Sequence, residues 1–251
     1  MSWTRTYDGV EPQRINKWLG QSGVCSRREA EGLITEGLVS IDGELVTDAG
    51  RKILPGQTLT LSDGATRALD AAVTLMLHKP VGYVSGQPEP DKIPAVRLLT
   101  AANAADGSPA IPVDASLPPI GRLDEDSRGL LLFSSDGVVA KAVIGPESDL
   151  PKEYMVRVAG EVTERKLTLL RHGLSLDGRT LKPAEVTQLK PRRLRFILRE
   201  GRNRQIRRMC ELVGLEVTDL KRIRIGPLAL GDLPEGRWRT LTADERKKLI
   251  G

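Results

Sequence analysis

Along the chain the apolar positions change their period. In the first 61 residues they recur at helical spacing, as Ile15, Trp18 and Leu19 and then as Ala30, Leu33 and Ile34. Gly23 suits the left-handed position that ends the first helix, and Gly37 ends the second. Ser26, followed three residues later by Glu29, forms a capping box that starts the second helix. Apolar segments at 38–41 and 44–46 then flank Asp42-Gly43, a dipeptide that favours a hairpin turn. Residues 62–71, SDGATRALDA, carry no long apolar periodicity and read as a linker.

From Val73 the pattern is that of strands. Val73, Leu75 and Leu77 alternate, and Lys79-Pro80-Val81-Gly82 makes a turn. Residues 103–119, rich in Ala, Pro, Ser and Asp, read as a loop. The run at 130–133 predicts a buried strand, after which Asp136-Gly137 turns the chain into a short helix. Tyr154, Val156 and Val158 alternate, and Thr163 caps a helix carrying Leu167 and Leu170. Leu194, Phe196 and Leu198 form another strand, followed by a helix over 203–213 that stops at Gly214. A second capping box, Thr242 with Glu245, opens a C-terminal helix. Strands interrupted by short helices, without a strict βαβ rhythm, predict an α+β fold with a mixed, largely antiparallel sheet. The expected organisation is a small module over 12–61, a linker over 62–71 and a larger domain over 72–251.

Composition narrows the function. With 39% hydrophobic and 28% charged residues, the chain of 251 is neither disordered nor collagen-like. No apolar run approaches the ~18 residues of a membrane helix, and residues 1–12 lack the apolar stretch of a secretory signal. Two cysteines, Cys25 and Cys210, exclude a disulfide framework or a cysteine-based zinc site. Two histidines, His78 and His172, exclude a histidine-rich metal centre. The expectation is a cytoplasmic protein without a metal. The net charge is +5, but it is concentrated: residues 190–224 carry +8 and the rest −3. Such a segment on a mildly acidic body suggests a nucleic-acid face, with a solvated charged face as the alternative.

Three places could carry chemistry. Residues 121–129, GRLDEDSRG, form a charged loop ahead of the apolar strand, presenting Asp124 at the end of a rigid element. Asp124 and Asp126 could suggest a glycosidase pair, but such pairs normally face each other from different segments. On residue types alone, a solvated acidic turn is the simpler reading. On the helix over 203–213, Ile206, Met209, Cys210 and Val213 share one face, and Arg204 and Arg208 lie on the other. Those two should meet phosphate. Arg207 falls at the boundary, where an arginine can bury its stem and reach inward to a carboxylate. The third place is Lys152-Glu153-Tyr154, where Tyr154 is either a core tyrosine or an aromatic presented to a ligand.

Two resemblances extend this reading. The run RINKWLGQSGVCSRREAEGLITEGLVSIDGELV resembles the S4 RNA-binding module first known from a ribosomal small-subunit protein. It implies RNA contacts from Arg14, Lys17, Arg27 and Arg28, which lie on or beside the two helices. Further on, HKPVGYVS, GRLDEDSRGLLLFSSDG, KEY and EGRNRQIRRM appear in order, and together they look like the pseudouridine synthases of the ribosomal branch. The DEDSRGL version resembles most the F type of large-subunit rRNA synthases, since the related B and small-subunit types often carry Thr where Ser127 stands. The resemblance covers nearly the whole chain.

It implies a reaction that breaks the bond between the ribose anomeric carbon and the uracil nitrogen. The base then turns and rejoins through carbon five, with no cofactor. Asp124 matches the essential aspartate, Arg207 the arginine that pairs with it, and Tyr154 the tyrosine that stacks on the base. The target must leave its stack to reach Asp124, and Arg122 would fill or brace the vacated space. Arg202, with Gln205, Ile206 and Arg207, completes the R-x-x-Q-I-R element, and it joins Arg204 and Arg208 as an expected RNA contact. Lys79 and Pro80 match a motif that looks structural. The expected partner is ribosomal RNA or an assembling subunit, bound by a monomer. Competing readings are a small-subunit rRNA or tRNA target, a non-catalytic ribosome assembly factor, and a DNA-binding regulator built on the helical pair.

Overall fold

The first domain forms where the helical pattern places it. Helices Ile15–Gln21 and Arg27–Thr35 pack on a four-stranded antiparallel sheet, and Ile15, Leu19, Ala30, Ile41 and Leu59 are fully buried between them. The Ser26–Glu29 capping box is present with both of its hydrogen bonds. Asp42 and Gly43 both take positive φ, 51° and 83°, as a two-residue hairpin of right-handed twist requires. The Asp42 carboxylate accepts from the Thr58 backbone N–H at 2.8 Å, which ties the turn to the next strand.

Two features differ from expectation. The chain before residue 12 belongs to this domain: Trp3–Thr6 pairs with Thr58–Leu61, and Tyr7 lies 5.4 Å from Trp18 in the core. The segment read as a linker is instead a helix, Asp63–Asp70, capped by Ser62, whose side chain accepts from Ala65 N–H. Ala65 is fully buried in the core of the first domain. Its apolar side is too narrow for a periodicity search to detect, because Ala65 and Leu69 are the residues that reach the core.

The computed structural model describes residues 2–86, 90–105, 107, 108, 111 and 117–251. The expected loop over 103–119 lies in good part outside those residues. Among them, the larger domain is built on a nine-stranded sheet. Its main path runs Glu185–Lys190, Arg193–Leu198, Lys152–Ala159, Glu216–Ile225, Arg128–Ser134, Thr74–Lys79, Trp238–Thr240. Arg128–Ser134 and Glu216–Ile225 run parallel, and every other pairing in this sheet is antiparallel. The mixed, largely antiparallel α+β prediction holds.

The parallel junction is tight. Gly129 has φ of 110°, and a Cβ there would sit 2.2 Å from the Arg222 carbonyl oxygen, so only glycine lets the two strands meet. Strand Thr74–Lys79 is buried at all six positions rather than on alternate ones, because apolar clusters cover both of its faces. Among the described residues no helix is long and apolar enough to cross a membrane.

Helix Gly137–Ile144 joins the two domains to the centre of the molecule. At its start, Gly137 N–H donates to Glu29 Oε1 at 3.0 Å, and Lys141 Nζ donates to the Gly20 carbonyl at 2.6 Å. At its end, Ile144 lines the large cleft described next.

Candidate active site

A cleft of about 660 Å³ opens beside the parallel junction, and Arg122, Asp124, Tyr154, Arg204, Arg207 and Arg222 are among its lining residues. Asp124 sits in the turn between strands Pro119–Ile120 and Arg128–Ser134, where the Ser127 N–H donates to the Asp124 carbonyl at 3.1 Å. The turn is pinned on both sides. Ser85 Oγ donates to the Leu123 carbonyl at 2.8 Å and accepts from the Leu123 N–H at 2.9 Å. Gly82 N–H donates to the Glu125 carbonyl at 2.9 Å. Thus the turn after Lys79 and Pro80 supports the backbone on either side of Asp124.

Lys79 lies beneath, fully buried, with Nζ donating to the Pro80 carbonyl at 2.7 Å. Burial pushes its ammonium down to about 8, against the opposing charges of Asp124, Asp126 and Glu125.

The arginines are distributed differently from the motif-based expectation. Arg207 is buried, as its boundary position predicts, with Ile206, Met209 and Cys210 in the core beside it. Its carboxylate partner, however, is Asp126 at 3.2 Å, and Asp124 is not among its contacts. Arg207 Nη2 also donates to the Asp126 carbonyl at 2.8 Å, and Nη1 donates to the Val217 carbonyl at 3.1 Å. The cation near Asp124 is Arg204, whose Nη1 lies 3.7 Å from Asp124 Oδ2.

Arg204 adopts the left-handed conformation just before helix Gln205–Leu212 and grips both Asp126 oxygens, at 3.2 and 3.0 Å. Burial alone would raise the Asp126 carboxyl. The Arg204 hydrogen bond and the Arg207 charge together hold it below the usual range.

The expected phosphate contacts on this segment are engaged within the protein. Arg208 makes two hydrogen bonds to Asp177, at 3.0 and 2.6 Å. Arg202 donates to the carbonyls of Leu176, Arg179 and Thr180. Its backbone N–H donates to Gln205 Oε1 at 2.9 Å, so the R-x-x-Q spacing closes the turn that leads into the helix. Arg202, Arg204 and Arg208, expected to contact RNA, are thus paired within the protein, with acceptors from segments distant in sequence.

Arg122, by contrast, is exposed at the cleft rim. Arg14, Lys17, Arg27 and Arg28 are also exposed and form no ion pair among the described residues. Tyr154 is half-buried at the cleft wall and packs against apolar clusters on both sides. The residue-by-residue reading missed Asp126 as the arginine partner and Arg222 as a cleft residue, and it singled out Lys152-Glu153-Tyr154 without giving Lys152 a role of its own. Alternation along strand Lys152–Ala159 puts Lys152 on the face of Tyr154, and that signal could have found it. Among the described residues no group of three His, Cys, Asp or Glu side chains is gathered to hold a metal ion.

The chain thus joins a small module of two helices on a sheet to a larger domain whose arginine-lined cleft holds Asp124. The RNA pseudouridylate synthase model matches residues 73–212 and the S4 domain model matches residues 13–59. The chain belongs to the RNA pseudouridylate synthase family, and its enzyme class is pseudouridine synthase. It is similar to the dual-specificity RNA pseudouridine synthase RluF of Escherichia coli (strain K12), at 35% identity over 92% of this chain and 76% of that protein. Ribosomal large subunit pseudouridine synthase B of Bacillus subtilis (strain 168) is 35% identical over 94% of this chain and 95% of its own length. A solved pseudouridylate synthase superposes with a TM-score of 0.65 and 26% identity, covering 94% of this chain and 99% of that one.

Proposed function

We propose that this enzyme converts a uridine of large-subunit ribosomal RNA into pseudouridine, with Asp124 as the catalytic residue. The observation that carries this reading is the Asp124 carboxylate, part-exposed in the cleft on a pinned backbone and 3.7 Å from a guanidinium. The Arg204 guanidinium beside Asp124 orients its carboxylate, the group that attacks or takes a proton. Tyr154 offers a ring at the cleft wall for the uracil to stack on. In the reaction the C1′–N1 bond breaks, the base turns, and C5 bonds to C1′. The C5 proton leaves and N1 gains one, so the product is an isomer of the substrate.

The base must be turned out of the RNA to reach this depth, and exposed Arg122 is placed to occupy the space it leaves. Arg207 acts here as a positioning residue, holding the Asp126–Ser127 backbone next to Asp124. The large-subunit target rests on the names of the Bacillus and related enzymes, and Arg14, Lys17, Arg27 and Arg28 supply the S4-domain contacts to that RNA.

Asp124→Asn tests the proposal. The variant is expected to lose at least about 10³-fold in pseudouridine formation while RNA affinity stays within about two-fold. A variant that still isomerises uridine near the wild-type rate would remove Asp124 from the chemistry.

A further inference from the structure

The floor of the cleft holds two cations, Arg222 and Lys152, that form no ion pair among the described residues. Arg222 is 5% exposed; its Nε donates to the Leu130 carbonyl at 2.8 Å and its Nη1 to the Arg122 carbonyl at 3.3 Å. Its Nη2 has no hydrogen-bond partner among the described residues. Lys152 is half-buried on the neighbouring strand, and its ammonium makes no hydrogen bond or ion pair among the described residues. Burial, and after it the charge of Arg222, pushes the Lys152 ammonium below the usual lysine range. Asp149 opposes that shift, but it already serves Arg199 at 2.9 Å and Lys182 at 3.8 Å. Lys152, Lys182, Arg199 and Arg222 all line the cleft, and the first three share Asp149 as an acidic neighbour.

Burying like charges together without a counter-ion is unfavourable, and proteins keep such an arrangement where a ligand brings the missing charge. Uracil is neutral, whereas every nucleotide brings one phosphate charge. Lys152 also precedes Tyr154 by two residues on the same strand face, about 6.6 Å along the backbone. That spacing suits a base stacked on Tyr154 with its own phosphate beside Lys152.

We propose that Lys152 and Arg222 form a phosphate subsite. Lys152 contacts a phosphate flanking the target nucleotide, and Arg222 supplies charge from beneath. The subsite rests on the catalytic reading above, because it places that phosphate relative to the reacting base.

The probe is an unmodified large-subunit rRNA transcript, with a second batch lightly ethylated at its phosphates. Lys152→Met is expected to raise the half-saturating RNA concentration about ten-fold. It should also lower the slope of log affinity against log salt by about one. The rate at saturation stays within about two-fold of wild type, and Lys152→Arg restores affinity and slope. Ethylation of one phosphate next to the target uridine costs wild type a similar loss of about ten-fold but costs Lys152→Met nothing further. Lys152→Gln repeats the test should the Met variant melt early.

Unchanged affinity and slope in an active wild-type background would overturn the subsite alone. So would a fall in saturated rate with slope intact, which would put Lys152 against the base. Wild-type protein that binds the transcript yet forms no pseudouridine would overturn the catalytic reading, and the subsite with it.

Discussion

Four cations on or beside the helices of the S4 domain and the four arginines of residues 202–208 are deployed in opposite ways. Arg14, Lys17, Arg27 and Arg28 stand in solvent without an ion-pair partner among the described residues. Arg202, Arg204, Arg207 and Arg208 are tied to Glu200, Asp126 and Asp177 and to backbone carbonyls. Formal charge is therefore a poor guide to which cations can meet RNA. In the catalytic domain Arg204 and Arg207 organise the acidic turn that carries Asp124, while Arg202 and Arg208 tie down other segments. Unengaged positive charge lies in the S4 domain and at the floor of the cleft.

This contrast is open to direct attack, and the S4 side should show the larger effect. Replacing Arg14, Lys17, Arg27 and Arg28 together by Ala is expected to weaken rRNA binding by about a hundred-fold at low salt. The salt slope should fall by about three, with little change in thermal stability. An unchanged slope would mean that the S4 cations do not meet phosphate.

Next in size is Arg207→Met, which leaves the Asp126 and Val217 carbonyls without their donor and Asp126 without one of its two guanidinium partners. It should cost about 3 kcal/mol in denaturant unfolding. A loss under about 0.5 kcal/mol would show that Arg207 does not hold the turn. Smallest is Arg208→Ala. Its pair with Asp177 is largely exposed, so stability should change by less than about 1 kcal/mol. Its salt slope should stay at the wild-type value, and a clear fall would return Arg208 to the RNA face.

What could be read from the residues alone depended on how far apart the interacting partners lie. Ser26 with Glu29, Thr242 with Glu245, and Asp42-Gly43 act within three residues of themselves, and each appears in the structure as its local chemistry requires. Strand Trp3–Thr6 escaped notice because its partner, Thr58–Leu61, lies across the whole domain. The helix of Asp63–Asp70 escaped because a capping serine and one buried alanine leave little periodic signal. At the site, Asp124, Tyr154 and Arg207 came from motif resemblance. Helical spacing added only that Arg207 would turn inward. Its partner is Asp126, 81 residues away, and no spacing rule carries that information. Arg222 was counted among twelve basic residues of 190–224 and could not be told from its neighbours until Gly129 was seen to bring its strand against the cleft.

The central claim is that this chain isomerises a uridine in ribosomal RNA through Asp124. It is tested most directly by mapping pseudouridine across all rRNA of a strain that lacks the gene. The strain is then complemented with wild-type or Asp124→Asn protein. The account predicts a pseudouridine missing from large-subunit rRNA, restored by wild type and not by Asp124→Asn. A complete pseudouridine map in the deleted strain, or restoration by Asp124→Asn, would contradict it.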